Sequence, residues 1–162
     1  MILIALGSNL SSPAGPPAQT VAAAFPVLKT NGIVPVKVSR LYKSKAWPDP
    51  NDPPFINAVA QVTTELSPAA LLDRLHAVER AFGRVRSVRN APRTLDLDIL
   101  DYDGRIEGGP PMLPHPRIDS RAFVLVPLAE IVPDWRHPIS RRSAAELIAA
   151  LPQHDVAIKS IV

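Results

Sequence analysis

The run Arg93-Thr94-Leu95-Asp96-Leu97-Asp98-Ile99-Leu100 alternates apolar and polar residues, the pattern of a half-buried strand. In that conformation Leu95, Leu97 and Ile99 face a core. Asp96 and Asp98 then stand together on the opposite side, about 7 Å apart. Two carboxylates at this spacing can share one hard cation or hold a pair of them, and they repel each other unless positive charge lies between. Arg84, Arg86, Arg89 and Arg93 crowd the segment just upstream. Magnesium suits the carboxylates, and a polyphosphate suits both the magnesium and the arginines. The plainer alternative is a solvated strand face whose acids make surface ion pairs with the neighbouring loop.

Other residues carry weaker signals, each with a bland counterpart. Asn57 lies inside an alternating run, Phe55 to Glu65, in which Phe55, Asn57 and Val59 share a face. A buried amide needs partners, so Asn57 either reads the edge of a heterocycle or makes a structural hydrogen bond. Trp47, in the proline-rich loop from Lys43 to Pro54, either folds back on the core or acts as a lid over a flat ligand. His115, fixed between Pro114 and Pro116, is a phosphate donor or a surface imidazole. Glu79 borders an apolar helical stripe near a helix C-terminus, where the macrodipole disfavours an anion. It is either exposed or paired with an arginine or a ligand. Gly7-Ser8-Asn9 ends the first apolar run in a turn, and its Gly-Ser pair can also bring backbone amides near a ligand.

These residues have to be positioned by elements, and most of the elements are readable. Met1 to Leu6 predicts a buried strand, and Pro16 to Thr30 a helix that Pro26 kinks or shortens and Asn31-Gly32 ends. Val34 to Tyr42 alternates as a strand, with Pro35 assigning it to an edge. Ser67-Pro68 gives an N-cap and a proline at the first helical position. Leu71, Leu75, Val78 and Phe82 then form a helical stripe ended by Gly83. Tyr102 to Arg105 is a turn, Glu107 to Pro116 an irregular loop, and Phe123 to Ile131 apolar enough for the core. Ser143-Ala144-Ala145-Glu146 is a capping box for a last helix to about Leu151. Strand, helix, strand, strand, helix, strand is the order of a ferredoxin-like α+β sandwich: a mainly antiparallel four-stranded sheet, helices on one face, C-terminal additions and the other face free. Asp96, Asp98, Asn57 and Phe55 then share that free face.

Composition narrows the function classes. At 162 residues with 46% hydrophobic content, the chain reads as one globular domain, residues 1–162, able to bury a core unaided. It has no cysteine, so disulfides and thiolate metal sites are excluded. The apolar start is too short for a signal-peptide core, and no stretch reaches membrane-spanning length. Cytoplasm is the default location. A net charge of +3 demands no broad nucleic-acid surface, and the locally concentrated arginines fit a small anionic ligand as well as a polymer.

Taken in order, ALGSNL, FINAVA, the arginine-rich loop with PRTLDLDIL, LPHPR and RAFVLVPLAEIVP resemble the 6-hydroxymethyl-7,8-dihydropterin pyrophosphokinases of folate biosynthesis. GSN and LPHPR are weak signals alone. PRTLDLD at this distance from FINA and LPHPR is specific, and the resemblance covers most of the chain. It implies transfer of pyrophosphate from ATP to a pterin alcohol with release of AMP. It also implies two Mg²⁺ ions held by Asp96 and Asp98, and catalysis by these acids with Arg84 and Arg93. The pterin would be met by Ser44, Lys45, Trp47, Phe55, Asn57 and Phe123. ATP would be met by Glu79, Arg86, Arg89, Arg93, Ile99, His115 and Arg121. The partners implied are small molecules alone, with no nucleic acid and no membrane, and the state implied is a monomer. The chain departs from the best-known members in three places. Asn90 stands where they carry tryptophan, the arginine loop is one residue shorter, and Pro116 replaces a tyrosine.

Two other classes fit parts of the pattern. A nucleotidyltransferase pairs Gly-Ser with D-x-D, but close in sequence, whereas Gly7-Ser8 lies far upstream of Asp96. An RNA-binding module uses a similar sheet but exposes stacking aromatics on it. This chain is 5% aromatic and puts acids there. An inactive relative that still binds ATP is the third alternative.

Overall fold

The first apolar run does form a strand, β1 (Ile2–Ser8), buried along nearly its whole length. The computed structural model describes residues 1–46, 48–85, 90–153 and 158–161. Trp47, Arg86 and Arg89 therefore lie outside the described residues. β1 leads to helix α1 (Pro17–Thr30) and strands β2 (Val34–Val38) and β3 (Tyr42–Ser44). β4 (Phe55–Thr63), α2 (Pro68–Ala81) and β5 (Asp96–Tyr102) repeat the strand–helix–strand pattern. Among the described residues the sheet runs β5-β1-β4-β3, with β2 also on β4 and a short β8 (Lys159–Ser160) on β3. All of these pairings are antiparallel. This is the ferredoxin-like interleaving expected from the element order.

One core lies between the sheet and α1 and α2. Ile4 and Leu6 of β1, Ala58 and Ala60 of β4, and Leu97 and Ile99 of β5 meet Val21 and Leu28 of α1 and Leu71, Leu75 and Val78 of α2 there. The capping signals place α2 as its sequence requires. Ser67 Oγ accepts the Ala70 N–H at 3.3 Å, and Gly83 takes the left-handed conformation, φ +82°, just beyond the helix.

The other face is not free, contrary to the expectation from element order. α3 (Ala122–Ile131) and α4 (Ala144–Ala149) build a second core there, in which Val124, Leu125 and Leu128 pack on Leu3, Val59 and Leu100. A short hairpin, β6 (Glu107–Gly108) and β7 (Met112–Leu113), occupies part of the stretch read as irregular. The segment 34–42 is two strands rather than one, and Val34, Val36 and Val38 are all exposed on the uncovered edge. Nor does Pro26 shorten α1. Pro26 and Ala22, whose carbonyl loses its helical partner, both face solvent, where water replaces the missing bond.

β5 carries a bulge that matters for the second core. Leu3 pairs with Asp101 but Ile4 with Ile99, leaving Leu100 as the extra residue. The bulge turns Asp101 onto the α3 side, where it accepts the Trp135 Nε1–H at 2.8 Å and the Gly104 N–H at 2.9 Å. Asp101→Ala strands a buried indole donor and should lower the unfolding free energy by about 1–3 kcal/mol. Urea denaturation followed by circular dichroism measures this. A change under about 0.5 kcal/mol, typical of an unimportant surface site, would show that the bond does not hold α3 and its extension to the sheet.

Candidate active site

Strand register assembles the site. Gly7 of β1 pairs with Asp96 on one side and Asn57 on the other, and Ala5 pairs with Asp98 and Val59. Directly paired residues share a face, so the acids and the amide flank a central strand that offers only Ala5 and Gly7. The floor is low for that reason. A Cβ at Gly7 would come within 3.4 Å of Asn57 Oδ1 and 3.6 Å of the Phe55 ring. Beyond the floor, the N-terminal end of α3 and the single 3-10 turn before it (Ile118–Ser120) form the opposite wall.

Between these walls lies a cavity of about 640 Å³, the size of an ordinary small-molecule site. Part of its lining is apolar with an amide edge, Phe55 and Phe123 with Ser44 and Asn57, a groove that suits something flat. Asn57 is buried, and its amide donates to Ser44 Oγ at 2.7 Å. Another part is charged, with Arg93, Asp96, Asp98, Arg117 and Arg121. It adjoins a second, polar cavity of about 250 Å³ lined by His76, Glu79, Arg84 and His115. Arg93, Asp96, Asp98 and Arg121 line both cavities. The two acids therefore stand on the partition between a flat, amide-edged groove and a cationic basin.

A chain of charges holds that partition. Glu79, only 1% exposed, pairs with Arg84 and accepts the Leu97 N–H at 2.8 Å. Arg84 also donates to Asp96 Oδ1 at 2.8 Å, and Arg93 reaches Asp96 Oδ2 at 3.3 Å. Burial of the Arg84 guanidinium favours its neutral form, but the fields of Asp96 and Glu79 outweigh it and hold Arg84 above its ordinary value. Among the described residues Asp98 has no such close cation: His115 Nε2 and Arg121 each stand 3.8 Å from its Oδ2. About a third of its side chain faces the cavity. Burial, and then repulsion from Asp96, push its carboxyl up to about 7. His115 goes the other way, to about 4, because it is buried and lies near Arg121. It is thus a neutral imidazole at physiological pH. Its Nδ1 accepts the Arg117 N–H at 3.1 Å, which assigns the proton to Nε2, on the Asp98 side.

The structure brings together Ser44, Phe55, Asn57, Phe123, Arg84, Arg93, Asp96, Asp98, Glu79, His115 and Arg121. Lys45 is exposed and off the lining. The Ile99 side chain lies in the helix-side core at 3% exposure, which leaves only its peptide groups, on the outer strand of the sheet, for a ligand. Sequence reading singled out neither His76 nor Arg117 as a site residue. His76 sits three residues before Glu79, a spacing that puts both on one helix face, and Arg117 ends the LPHPR run.

Fold and site together first define a class: a ferredoxin-like sandwich whose joined cavities suit a flat polar ring on one side and a polyanion on the other. Comparison with known proteins narrows this. A family model described as 7,8-dihydro-6-hydroxymethylpterin-pyrophosphokinase (HPPK) matches residues 3–133. The 2-amino-4-hydroxy-6-hydroxymethyldihydropteridine pyrophosphokinase of Pseudomonas aeruginosa is 43% identical over 93% of this chain and 91% of that protein. The folic acid synthesis protein fol1 of Pneumocystis carinii is 37% identical over 96% of this chain, which spans 20% of fol1. A crystal structure of Plasmodium falciparum HPPK-DHPS shares the fold, with TM-score 0.68 and 12% identity over 91% of this chain and 43% of that one. The chain belongs to the HPPK family.

Glu79→Ala removes the buried acid from the charge chain while Arg84 keeps Asp96. We expect a loss of about 3 kcal/mol, the low end for breaking a buried pair, and a smaller loss for Glu79→Gln, which still accepts from Leu97. Denaturant midpoints of the two variants test this. Equal midpoints for both would show that the charge, not the backbone acceptor, is what matters.

Proposed function

We propose that this chain transfers the terminal pyrophosphate of ATP to the hydroxymethyl oxygen of 6-hydroxymethyl-7,8-dihydropterin, releasing AMP. The observation that carries the reading is the acid pair on the wall common to both cavities. The pterin lies in the groove, stacked on Phe55 and Phe123 and read at its edge by Asn57 and Ser44. The triphosphate lies in the basin among Arg84, Arg93, His115 and Arg121, with Glu79 near the nucleotide. The site works within one domain, in the cytoplasm, on small molecules, and the chain acts as a monomer.

Asp96 and Asp98 would hold magnesium. Both offer hard carboxylate oxygens; burial first and then repulsion from Asp96 raise the Asp98 carboxyl, and a divalent cation relieves that repulsion. Among the described residues no group of three or more acidic, histidine or cysteine side chains forms a metal cage. That suits an ion bound through one or two carboxylates and completed by phosphate and water. When bound, Mg²⁺ neutralises charge on the phosphate oxygens; we assign two ions to the pair.

The protein's own part is alignment and charge. The pterin alcohol oxygen forms a bond to the β-phosphorus as the bond from that phosphorus to the AMP oxygen breaks, and the alcohol proton passes to solvent. A loose transition state places little charge on the alcohol, so no strongly tuned base is needed. Arg84 and Arg93 stabilise charge gathering on the transferred and departing phosphates. The neutral His115 donates a hydrogen bond from Nε2. Phe55 and Asn57 fix the hydroxymethyl group in line, and positioning of this kind supplies much of the rate.

Product analysis after mixing ATP, Mg²⁺ and the hydroxymethyl pterin should yield AMP and the pterin diphosphate; ADP instead would mark an ordinary kinase. Asp98→Ala should cut turnover by roughly a thousandfold or more, the scale of several kcal/mol of lost charge stabilisation. Its melting temperature should hold or rise, since the repulsion between the two neighbouring acids is gone. Near-normal turnover at saturating Mg²⁺ would reject the assignment.

A further inference from the structure

Asn9, in the turn after β1, is 3% exposed and binds two distant loops at once. Its Nδ2 donates to the Pro53 carbonyl at 3.1 Å, and its Oδ1 accepts the Arg93 N–H at 2.8 Å. Its own N–H donates to the Arg93 carbonyl at 3.2 Å. One residue thus holds both main-chain groups of Arg93. An asparagine serving only its turn bonds its own backbone about two residues away; these partners lie 44 and 84 residues away. Each partner also leads into the site. Pro53 stands two residues before Phe55, a wall of the groove, and Arg93 extends its guanidinium to Asp96 on the partition.

We propose that Asn9 is a positioning residue that locks the ring-binding wall to the phosphate-side arginine, so that the two substrates meet in register. The inference rests on the assignment of groove and basin to pterin and triphosphate. Asn9 touches neither reacting atom in this arrangement. Its effect passes through the Pro53 and Arg93 main chains, and it works because both halves are fastened to one rigid strand end. Release of either arm lets one half-site drift while the other stays in place. A displacement near 1 Å costs about a hundredfold in rate.

The two arms separate chemically. Asn9→Asp keeps an acceptor for the Arg93 N–H but sets an oxygen against the Pro53 carbonyl, so it frees the groove side alone. Asn9→Ala frees both. Steady-state kinetics should show the KM for the pterin raised about tenfold in Asn9→Asp, the worth of one hydrogen bond, with the KM for ATP within about twofold. Asn9→Ala should also lose about a hundredfold in kcat. Circular dichroism and melting temperature identify folded protein, and Asn9→Asp carries the test if Asn9→Ala does not fold. The lock is overturned if both variants keep parental kcat and KM. It is also overturned if Asn9→Asp shifts both KM values equally, or if activity falls only in step with the folded fraction. Asn57→Ala and Arg93→Ala serve as controls. If they leave the pterin KM and the ATP parameters unmoved, the half-site assignment fails and the lock with it. If they respond as assigned and the Asn9 variants do not, the lock alone fails.

Discussion

Charge compensation around Asp96 is the constraint on which the rest of the structure depends. An acid on a half-buried strand is costly beside a second acid, and β5 carries two. The fold meets that cost with a relay from Glu79 through Arg84 to Asp96 and on to Arg93. Glu79 sits in the last turn of α2, where the helix dipole repels an anion. It remains there, buried, because a guanidinium and the Leu97 N–H both bond it. The relay ties α2 to β5 and fixes where the arginine segment leaves the helix. Asp98 lies beyond the end of this relay, and among the described residues it has one guanidinium, Arg121, and the neutral His115, each at 3.8 Å. The protein thus satisfies one acid of the pair and leaves the other short of positive charge, facing the cavity.

The shape of the site follows from small residues rather than large ones. Ala5 and Gly7 keep the central strand low between Asn57 and the acids, and α3 rises at the end of the groove without filling it. A helix laid across the whole sheet would bury these residues; a sheet left bare would leave a shelf with one wall. On the sheet α3 packs on Leu3, Val59 and Leu100, and the acid pair stays open to the cavity. Phe123 in the first turn of α3 and Arg121 at its N-cap then line the same cavity as Phe55 and Asp98. The Arg121 guanidinium also lies 5.5 Å from the centre of the Phe123 ring. A cation over an aromatic face links the charged and apolar parts of the cavity.

The sequence by itself determined the local elements and the type of chemistry. Alternation fixed which face of β5 carries Asp96 and Asp98, because side chains on a strand have period two. Ser67-Pro68 and Gly83 bounded α2, because helix ends need particular caps. Motif order pointed to the family. What only the tertiary structure decided was long-range. Glu79 was readable as exposed or paired, and its burial depends on a β5 amide 18 residues away. The covering of the second face by α3 was hidden because an apolar run with Pro127 inside it carries no clear amphipathic period. Asn9 looked like part of a turn until Pro53 and Arg93 were placed beside it. A side chain's type is local, but its partners are set by which distant segments the sheet register brings alongside, and no spacing along the chain encodes that.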